Sequence, residues 1–394
     1  LMTQSSNGYM NTAVGYQAGR LNTSGQSLTA IGFKALEANT TGDGNTAVGQ
    51  QALVVNTTGA NNVGVGQSAL LANTTGTSNT AVGYQALDAN TTGADNTALG
   101  AYALTRATTA SYNTAVGNVA LQSVTTGNDN VAVGYLALEA NTTGPINTAV
   151  GKSALAANTT GSGNVAVGIR ALDANTTGGG NVALGHDALG VNIDGDSNVA
   201  AGYNSMDAHT TGSNNAAWGA HSLGASTTGA NNSGIGWAAG SNITTGANNT
   251  CLGYYSVASA VNVSNEITLG NSSISALRCN DQSIAALSDA RDKTDVVDLP
   301  HGLDFINQTR PVRFKWDKRE YLSDDTKQGT TNYGFIAQEL LAIGDNEEHR
   351  LVYESNPEKL EARYSNLIPI LTKAIQELST KNDALVARIT ALEA

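Results

Sequence analysis

The chain has 394 residues and a formal net charge of −12, with 44 glycines, 5 prolines, 5% aromatic and 13% charged residues. The low charged share argues against simple disorder, and the negative balance excludes nucleic acid and anionic membranes as expected partners. Two cysteines, Cys251 and Cys279, are too few for a disulfide framework or a cysteine zinc cluster. No apolar run approaches the roughly 18 residues of a spanning helix, so no membrane insertion is expected.

A 17-residue repeat fills most of the chain after a lead-in at residues 1–10. The segment Asn-Thr-Ala-Val-Gly at 11–15 has an equivalent every 17 residues, sixteen in all, and the register is unbroken over 11–270. The fifth position is glycine in every copy. The first position is Asn in fourteen copies, with Leu28 and Glu266 as the exceptions.

Each unit is predicted to form one coil of a β-solenoid. In the typical unit NTAVGYQALDANTTGAD, residues 79–95, Thr-Ala-Val is a short extended stretch and the glycine permits positive φ or a close approach. A second apolar step follows at Ala86 and Leu87, and Asn-Thr-Thr-Gly is predicted to close the coil as a turn. One unit cannot bury a core, but stacked units share one. Helix is disfavoured, because two positions are glycine and no 3.6-residue stripe exists.

These repeats resemble the head repeats of trimeric autotransporter adhesins, and they are still more similar to the longer repeats of phage tail-fibre proteins. The resemblance covers residues 11–270 and implies a left-handed parallel β-roll in which three chains pack side by side. The expected fold class is therefore mainly β: a trimeric parallel β-roll or solenoid, followed by a smaller α+β domain.

Several residues inside the repeat suggest functional sites, but the periodicity favours a structural role for most of them. Asn-Thr-Thr looks like a glycosylation sequon but recurs because the turn needs it. Cys251 replaces a third-position Ala and is expected to be buried, and Trp218 replaces a fourth-position Val in the core or a subunit interface. Four carboxylates lie near turn glycines but follow no regular ligand pattern: Asp43, Asp95, Asp129 and Asp196. Neither a metal nor a cofactor is therefore expected. An aromatic line at the sixth position suits either glycan binding or packing between chains: Tyr16, Tyr84, Tyr135, Tyr203, Trp237 and Tyr254.

Composition changes after the repeats. Residues 1–270 carry 5 Lys+Arg and 12 Asp+Glu, whereas residues 288–394 carry 14 and 19 in less than half the length, and 271–287 is predicted to be a connector. The C-terminal segment contains, in order, SDARDK at 288–293, LDFI at 303–306, PVRFKW at 311–316, YGFIAQE at 333–339, YSNLIPIL at 364–371 and KAIQEL at 373–378.

This order of motifs is similar to the intramolecular chaperone domain of phage tailspikes and tail fibres, the peptidase S74 family, which also occurs in endosialidases and myelin regulatory factor. The resemblance covers essentially all of 288–394. It implies a domain that trimerises, guides the folding of the preceding β fibre and releases itself by cleavage just before the motif serine. On this sequence the scissile bond is Leu287–Ser288, with Ser288 as nucleophile and Lys293 as base.

The Ser288–Lys293 pair is chemically reasonable as a dyad that cuts its own chain. A serine hydroxyl needs a neighbouring group to take its proton, and a lysine can do so once desolvation lowers its pKa. Five residues separate the pair, so Lys293 can reach Ser288 through a turn but not along a straight strand. Without the resemblance, SDARDKTD is typical of a solvated charged loop at a domain boundary.

The last segment, about 367–394, carries a heptad pattern that predicts a parallel coiled coil. Position a is occupied by Ile368, Ile375, Asn382 and Ile389, and position d by Leu371, Leu378, Leu385 and Leu392. The Asn is expected to fix the register. Ile at a with Leu at d favours two strands, whereas both resemblances imply three.

Together these features predict a virion structural protein, a trimeric phage tail fibre or tailspike segment for host attachment. It is expected to fold in the host cytoplasm, to join the phage tail and to bind a cell-surface receptor, a glycan or another outer-surface component. A trimeric bacterial surface adhesin head is the alternative. A polysaccharide depolymerase is disfavoured because no acid pair recurs with the unit. An ice-binding solenoid would need its Thr pairs on a flat outward face rather than in a turn.

Overall fold

The fold is described from a computed structural model, which describes residues 9–274, 276–278, 293–315, 331–343, 350–354 and 360–393. The chain divides into two compact units, Leu1–Gly270 and Asn271–Ala394. The first unit is the predicted β-solenoid of 17-residue repeats, and the second is a small α+β unit that ends in a helix.

Sixteen three-residue strands form one parallel sheet in sequence order. Each residue pairs with its equivalent 17 positions later, so that Thr80 lies beside Thr97 and Ala81 beside Ala98. The strands are β1 Thr12–Val14, β2 Thr29–Ile31, β3 Thr46–Val48, β4 Val63–Val65, β5 Thr80–Val82, β6 Thr97–Leu99, β7 Thr114–Val116, β8 Val131–Val133, β9 Thr148–Val150, β10 Val165–Val167, β11 Val182–Leu184, β12 Val199–Ala201, β13 Ala216–Trp218, β14 Ser233–Ile235, β15 Thr250–Leu252 and β16 Ile267–Leu269.

Side chains along each strand alternate between the core and the outer surface, as strand geometry requires. In β5 the middle residue, Ala81, is fully buried, whereas Thr80 and Val82 point outward and are partly exposed. Because the pairing is in register, the small third-position side chains stack on their own copies along the whole core. The outward second and fourth positions form a separate column on the surface.

The fifth-position glycines meet both requirements expected from the sequence. Gly100 has φ 141°, a region that residues with a side chain rarely adopt. A Cβ added there would lie 2.4 Å from the carbonyl oxygen of Gly117 in the next coil. The position therefore excludes every other residue on two independent grounds.

The second apolar step places a leucine in the left-handed region of φ/ψ space. Leu87 is fully buried and has φ 51°, which costs about 1–2 kcal/mol for an L residue. Complete burial of its side chain contributes about 1.5–3 kcal/mol and offsets that strain. Its N–H also donates to the carbonyl of Ala103 in the next coil at 2.9 Å. Positive φ recurs at the equivalent positions Leu36, Leu53, Leu70, Leu104, Leu121, Leu138, Leu155, Leu172, Leu189, Met206 and Leu223.

First-position asparagines form a buried ladder on the strand side, here called the strand ladder. The backbone N–H and the Nδ2 of Asn62 both donate to Oδ1 of Asn45, at 2.9 and 3.1 Å. Nδ2 also donates to the carbonyl of Gly76 at 2.8 Å. Burying an amide is costly unless it is hydrogen-bonded, and each asparagine here is satisfied by its copies in the neighbouring coils.

A second ladder runs through the Asn-Thr-Thr-Gly segments and is called the turn ladder. Nδ2 of Asn56 donates to Oδ1 of Asn39 at 2.8 Å and to the carbonyl of Gly59 at 2.9 Å. These asparagines are fully buried rather than ordinary turn residues, so their amides are inaccessible as glycosylation acceptors in the folded solenoid. A Cβ on Gly59 would lie 2.4 Å from the carbonyl of Gly76 and 2.5 Å from Oδ1 of Asn56. Close approach, not positive φ, requires this glycine.

The second unit surrounds a small core of its own. Its apolar cluster includes Phe305, Leu340, Val352, Leu367 and Ile370, all largely buried. The β17–β18 and β19–β20 pairs are antiparallel. The elements are α1 Leu303–Ile306, β17 Val312–Lys315, β18 Thr331–Gly334, α2 Ala337–Ile343, β19 Val352–Tyr353, β20 Glu361–Ala362, a 3-10 helix Tyr364–Asn366 and α3 Leu367–Glu393. None of the helices in the described ranges is long and apolar enough to cross a bilayer.

Candidate functional site

The predicted dyad falls at the start of the second unit, and the structure describes one of its members. Lys293 is exposed and lies ten residues ahead of α1. Leu287 and Ser288 lie outside the described residues, so the approach of the two side chains stays a prediction. Val296 and Val297, close to Lys293 in the chain, are 76% and 82% exposed. Lys293 is therefore followed in the chain by two apolar side chains that are largely exposed to solvent.

A carboxylate on α3 holds the segment that follows Lys293. The backbone N–H of Leu303, at the start of α1, donates to Oε2 of Glu377 at 2.8 Å. A Cβ on Gly302 would lie 2.5 Å from both carboxylate oxygens, so only glycine leaves room for this contact. The sequence reading missed Glu377. The one signal in the sequence is the glycine that directly precedes the LDFI motif.

A second polar contact joins the approach to β17 with α2. Nε of Arg310 donates to Oε2 of Glu339 at 3.0 Å, and Nη2 donates to Oε1 of the same carboxylate. The hydrogen bond from Arg310 lowers the pKa of Glu339, and the same bond raises the pKa of Arg310. Both groups are exposed to solvent, so the pair orients the two segments more than it stabilises them.

The predicted heptad seam lies on an exposed face of α3. The helix packs on its own unit through Leu367, Ile370 and Ala374, all buried. The seam residues are instead 43% to 85% exposed: Ile368, Leu371, Ile375, Leu378, Leu385, Ile389 and Leu392. The helix is found where the sequence predicts it, and its apolar seam stays exposed in the part of the chain that the structure describes.

The outward side chains of the solenoid strands form a second exposed apolar column. Trp218 is 51% exposed, so its expected place in the core is wrong and only the interface interpretation stays open. Other fourth-position residues are likewise exposed, including Ile31, Leu99, Val150, Val167, Leu184, Ile235, Leu252 and Leu269.

The sixth-position aromatic residues are exposed, and most of them also pack on rings of adjacent coils in the same chain. Tyr16 stacks on Phe33 with ring centroids 5.6 Å apart, and Trp237 stacks on Tyr254 at 5.1 Å. Tyr84 meets Tyr102 edge to face at 5.3 Å. Packing within one chain therefore explains part of the aromatic line, which neither sequence interpretation anticipated.

Three of the remaining candidates in the solenoid have a structural explanation. Cys251 is 1% exposed, and burial raises the pKa of its thiol to about 11, which makes it unreactive near neutral pH. Carboxylate oxygens of Asp43 and Asp196 accept hydrogen bonds from the backbone N–H groups of Gln26 and Gly179, each at 2.7 Å. In the described part of the chain, no cluster of His, Cys, Asp or Glu side chains could hold a metal ion.

The Thr pairs do not form a free hydroxyl surface. Thr57 Oγ1 donates to the carbonyl of Thr74 in the next coil at 3.1 Å, and the same bond recurs from coil to coil. The pairs lie in bends rather than in strands. This arrangement argues against an ice-binding face, because the first hydroxyl of each pair is already engaged.

Comparison with known families gives one match, and it lies in the second unit. Residues 288–349 match the Peptidase_S74 family model, described as chaperone of endosialidase. Searches of curated proteins and of solved structures give no match to this chain. The matched segment includes α1, the β17–β18 pair and α2. The chain therefore carries a chaperone-of-endosialidase domain C-terminal to a parallel β-solenoid.

Proposed function

We propose that the chain is a segment of a trimeric phage tail fibre or tailspike for host attachment, whose C-terminal chaperone drives assembly and then cuts itself off. The observation that carries the proposal is the order of the two units. A self-stacking β rod is followed by a chaperone-of-endosialidase match that begins at Ser288, the serine of the SDARDK motif. A rod of this kind supplies length and a repeating surface, and the adjoining chaperone supplies a means of assembling it.

Two exposed apolar surfaces support a homotrimer. Large apolar surfaces left in water usually mark interfaces, and both the α3 seam and the outward strand column are of this kind. The seam has coiled-coil spacing, which a partner helix in the same register would cover. The column repeats every 17 residues, so copies of the same chain in the same register match it coil for coil.

The proposed cleavage is an acyl shift followed by hydrolysis. Lys293 takes the proton of the Ser288 hydroxyl, and Oγ attacks the carbonyl carbon of Leu287. The C–N bond then breaks, the proton passes to the leaving amine of Ser288, and an ester joins Leu287 to Oγ. Water hydrolyses this ester to give the carboxylate of Leu287 and the free hydroxyl. A lysine must be desolvated to act as the base, and trimerisation over Val296 and Val297 would exclude water beside Lys293.

The autocleavage is tested on a denaturing gel. We expect the full chain to give fragments 1–287 and 288–394, with the new N-terminus at Ser288 established by mass spectrometry. Ser288→Ala removes the nucleophile and Lys293→Met removes the base, so both variants are expected to stay whole. Ser273→Ala, in the connector region, is the matched control and should cleave like the parent. An intact parent chain, or a Ser288→Ala chain that still cleaves at this bond, would contradict the proposal.

A further inference from the structure

The turn ladder is interrupted in the middle of the solenoid. In coils 96–112 and 113–129, Ala107 and Val124 stand where the neighbouring coils have asparagine. As a result, Oδ1 of Asn90 is buried and has no hydrogen-bond partner within the described part of the chain. The equivalent atom of Asn39 accepts from Asn56 at 2.8 Å.

Hydrogen bonds between coils are longer at the next interface, between coils 96–112 and 113–129. Thr108 bonds to the carbonyl of Thr125 through N at 3.2 Å and through Oγ1 at 3.3 Å. At the preceding interface, the corresponding bonds from N and Oγ1 of Thr91 to the carbonyl of Thr108 are 2.9 and 3.0 Å long. A Cβ added to Gly127 would lie 2.9 Å from the carbonyl oxygen of Gly144 in the next coil. A Cβ added to Gly93 would lie only 2.2 Å from the carbonyl oxygen of Ala110. The turn sides of these coils are therefore packed less tightly than those of their neighbours.

The interruption is a coupled replacement of two residues in one coil. The turn glycine is also replaced in coil 96–112, where Ala110 accompanies Ala107. Coil 249–265 repeats this coupling with Ala260 and Val263. The reason is steric, since the Asn Oδ1 at intact positions lies 2.4 Å from a Cβ placed on Gly76 or Gly93. A side chain at the glycine position is thus compatible only with a small residue at the asparagine position.

The strand side continues without a break. Nδ2 of Asn113 donates to Oδ1 of Asn96 at 3.2 Å, and Nδ2 of Asn130 donates to Oδ1 of Asn113 at 3.1 Å. The coils on either side therefore stay joined along the strand ladder and are weakened only along the turns. A connection that is continuous on the strand side and weakened on the turn side has the properties of a hinge.

We infer that coils 96–112 and 113–129 form a built-in joint, the place where the turn side of the solenoid opens first. In a stacked solenoid, stability is a sum of coil terms and nearest-neighbour terms, so one weak interface sets the boundary between cooperative segments. The joint divides the rod into segments 11–95 and 130–270. Local opening follows the weakest set of buried contacts, and a buried acceptor without a donor weakens this set further.

His209 shows that an unpaired acceptor in the turn ladder does not by itself make a joint, since Oδ1 of Asn192 has no partner among the described residues either. His209 replaces Asn in coil 198–214, but its Nε2 bonds the carbonyl of Gly212 at 2.8 Å. The adjacent bond from Thr210 N to Thr227 O stays at 2.8 Å. The joint is therefore assigned to Ala107 and Val124, because the unpaired acceptor of Asn90 lies on one side of coil 96–112 and the longer bonds of Thr108 lie on its other side.

Hydrogen exchange followed by mass spectrometry on the full chain tests the joint. The amides of Thr108 and Thr109 are expected to exchange about tenfold faster than those of Thr57 and Thr58, because their bonds to the carbonyl of Thr125 are longer and Ala107 and Val124 supply no turn-ladder bond beside them. The triple variant A107N/A110G/V124N completes the turn ladder and should remove the difference. A107N alone should not, because its Oδ1 would meet the Cβ of Ala110.

A transplanted joint is the matched control. The variant N158A/G161A/N175V copies the interruption into intact coils and should speed exchange at Thr159 and Thr160 by a similar factor. Circular dichroism identifies any variant that fails to fold, and the comparison within the parent chain needs no variant. Equal protection at Thr108 and Thr57 in the parent, or a folded triple variant with unchanged exchange, would overturn the inference.

Discussion

At the scale of single residues, the fifth-position glycines carry the strictest constraint in the solenoid. From Gly15 to Gly236, their φ values exclude residues with a side chain, and the carbonyl of the next coil occupies the space of a Cβ. The φ value constrains the backbone and the carbonyl contact constrains the Cβ. A change that removed one constraint would therefore leave the other in place. This explains why fourteen of the sixteen copies of an otherwise variable unit must have glycine at this position.

The first prediction concerns Gly100. Gly100→Ala places a Cβ 2.4 Å from the Gly117 carbonyl at φ 141°, so we expect a loss of at least about 2 kcal/mol in the free energy of unfolding. Urea denaturation followed by circular dichroism measures the loss. Gly163→Asn is the control, since a Cβ there meets no atom nearer than 3.9 Å and Asn61 has φ 59° at the equivalent position. Equal losses in the two variants would refute the steric argument.

At the scale of the coil, the asparagine ladders explain how a rod so poor in large apolar side chains can stack. Most of the core is Ala and Leu, and each coil adds buried amides whose partners belong to adjacent coils. Such a network is stabilising only when it is complete, because an unpaired polar group in the interior is costly. The turn ladder is incomplete at Asn192. Its Oδ1 has no hydrogen-bond partner among the described residues, because the next coil has His209 in place of the asparagine that would donate.

A second prediction follows from His209. His209→Asn supplies an Nδ2 donor to Asn192, with Gly212 already in place to receive it, so we expect a gain of about 1 kcal/mol at pH 7.5. Burial lowers the pKa of His209, so the folded chain holds it neutral while the unfolded chain takes up a proton below about pH 6.5. Its contribution to stability is complete above that pH and is lost as the pH falls towards the depressed folded pKa.

Denaturant unfolding at pH 7.5 and pH 5 checks both parts of this prediction. The gain from His209→Asn should be larger at pH 5, because the variant removes a group that opposes folding in acid. His186→Asn, at a half-exposed position in the preceding coil that is not part of the turn ladder, should not show the gain at pH 7.5. A His209→Asn gain that is the same at both pH values would contradict the proton linkage.

At the scale of the whole molecule, the second unit combines a chaperone-of-endosialidase match with a helix whose apolar seam is exposed. Ile375 lies in that seam and is 66% exposed, while Glu377 on the same helix holds the start of α1. The helix that carries the exposed seam is therefore hydrogen-bonded to the segment that follows Lys293. Under the proposed function, assembly and cleavage should be lost together.

The third prediction tests this connection. Ile375→Asp places a charge in the seam, and we expect loss of the trimer in sedimentation analysis together with at least tenfold slower cleavage on gels. Gln376→Asp adds the same charge on an exposed position outside the seam, and it should leave both properties unchanged. An Ile375→Asp chain that sediments as a monomer but cleaves at the parent rate would separate cleavage from assembly.

Much of the fold was predictable because a parallel stack brings each residue against its own copies. A recurring Thr-Ala-Val-Gly therefore indicated the strand, the buried third position and the constrained glycine without any knowledge of long-range contacts. The α3 helix was predictable from its heptads for a similar reason, since its periodicity is local. Ser288 and Lys293 came from motif resemblance alone, and their approach stays a prediction.

The sequence by itself determined the 17-residue register, the solenoid, the change of domain and the C-terminal helix, because each depends on periodicity or composition along the chain. Only the tertiary structure decided that the turn asparagines are buried, that the leucines accept positive φ and that Glu377 reaches α1. These features depend on distances of a few ångströms between segments far apart in sequence, which a pattern does not encode. Packing between coils also decided that Trp218 lies outside the core and that the turn ladder breaks at Ala107.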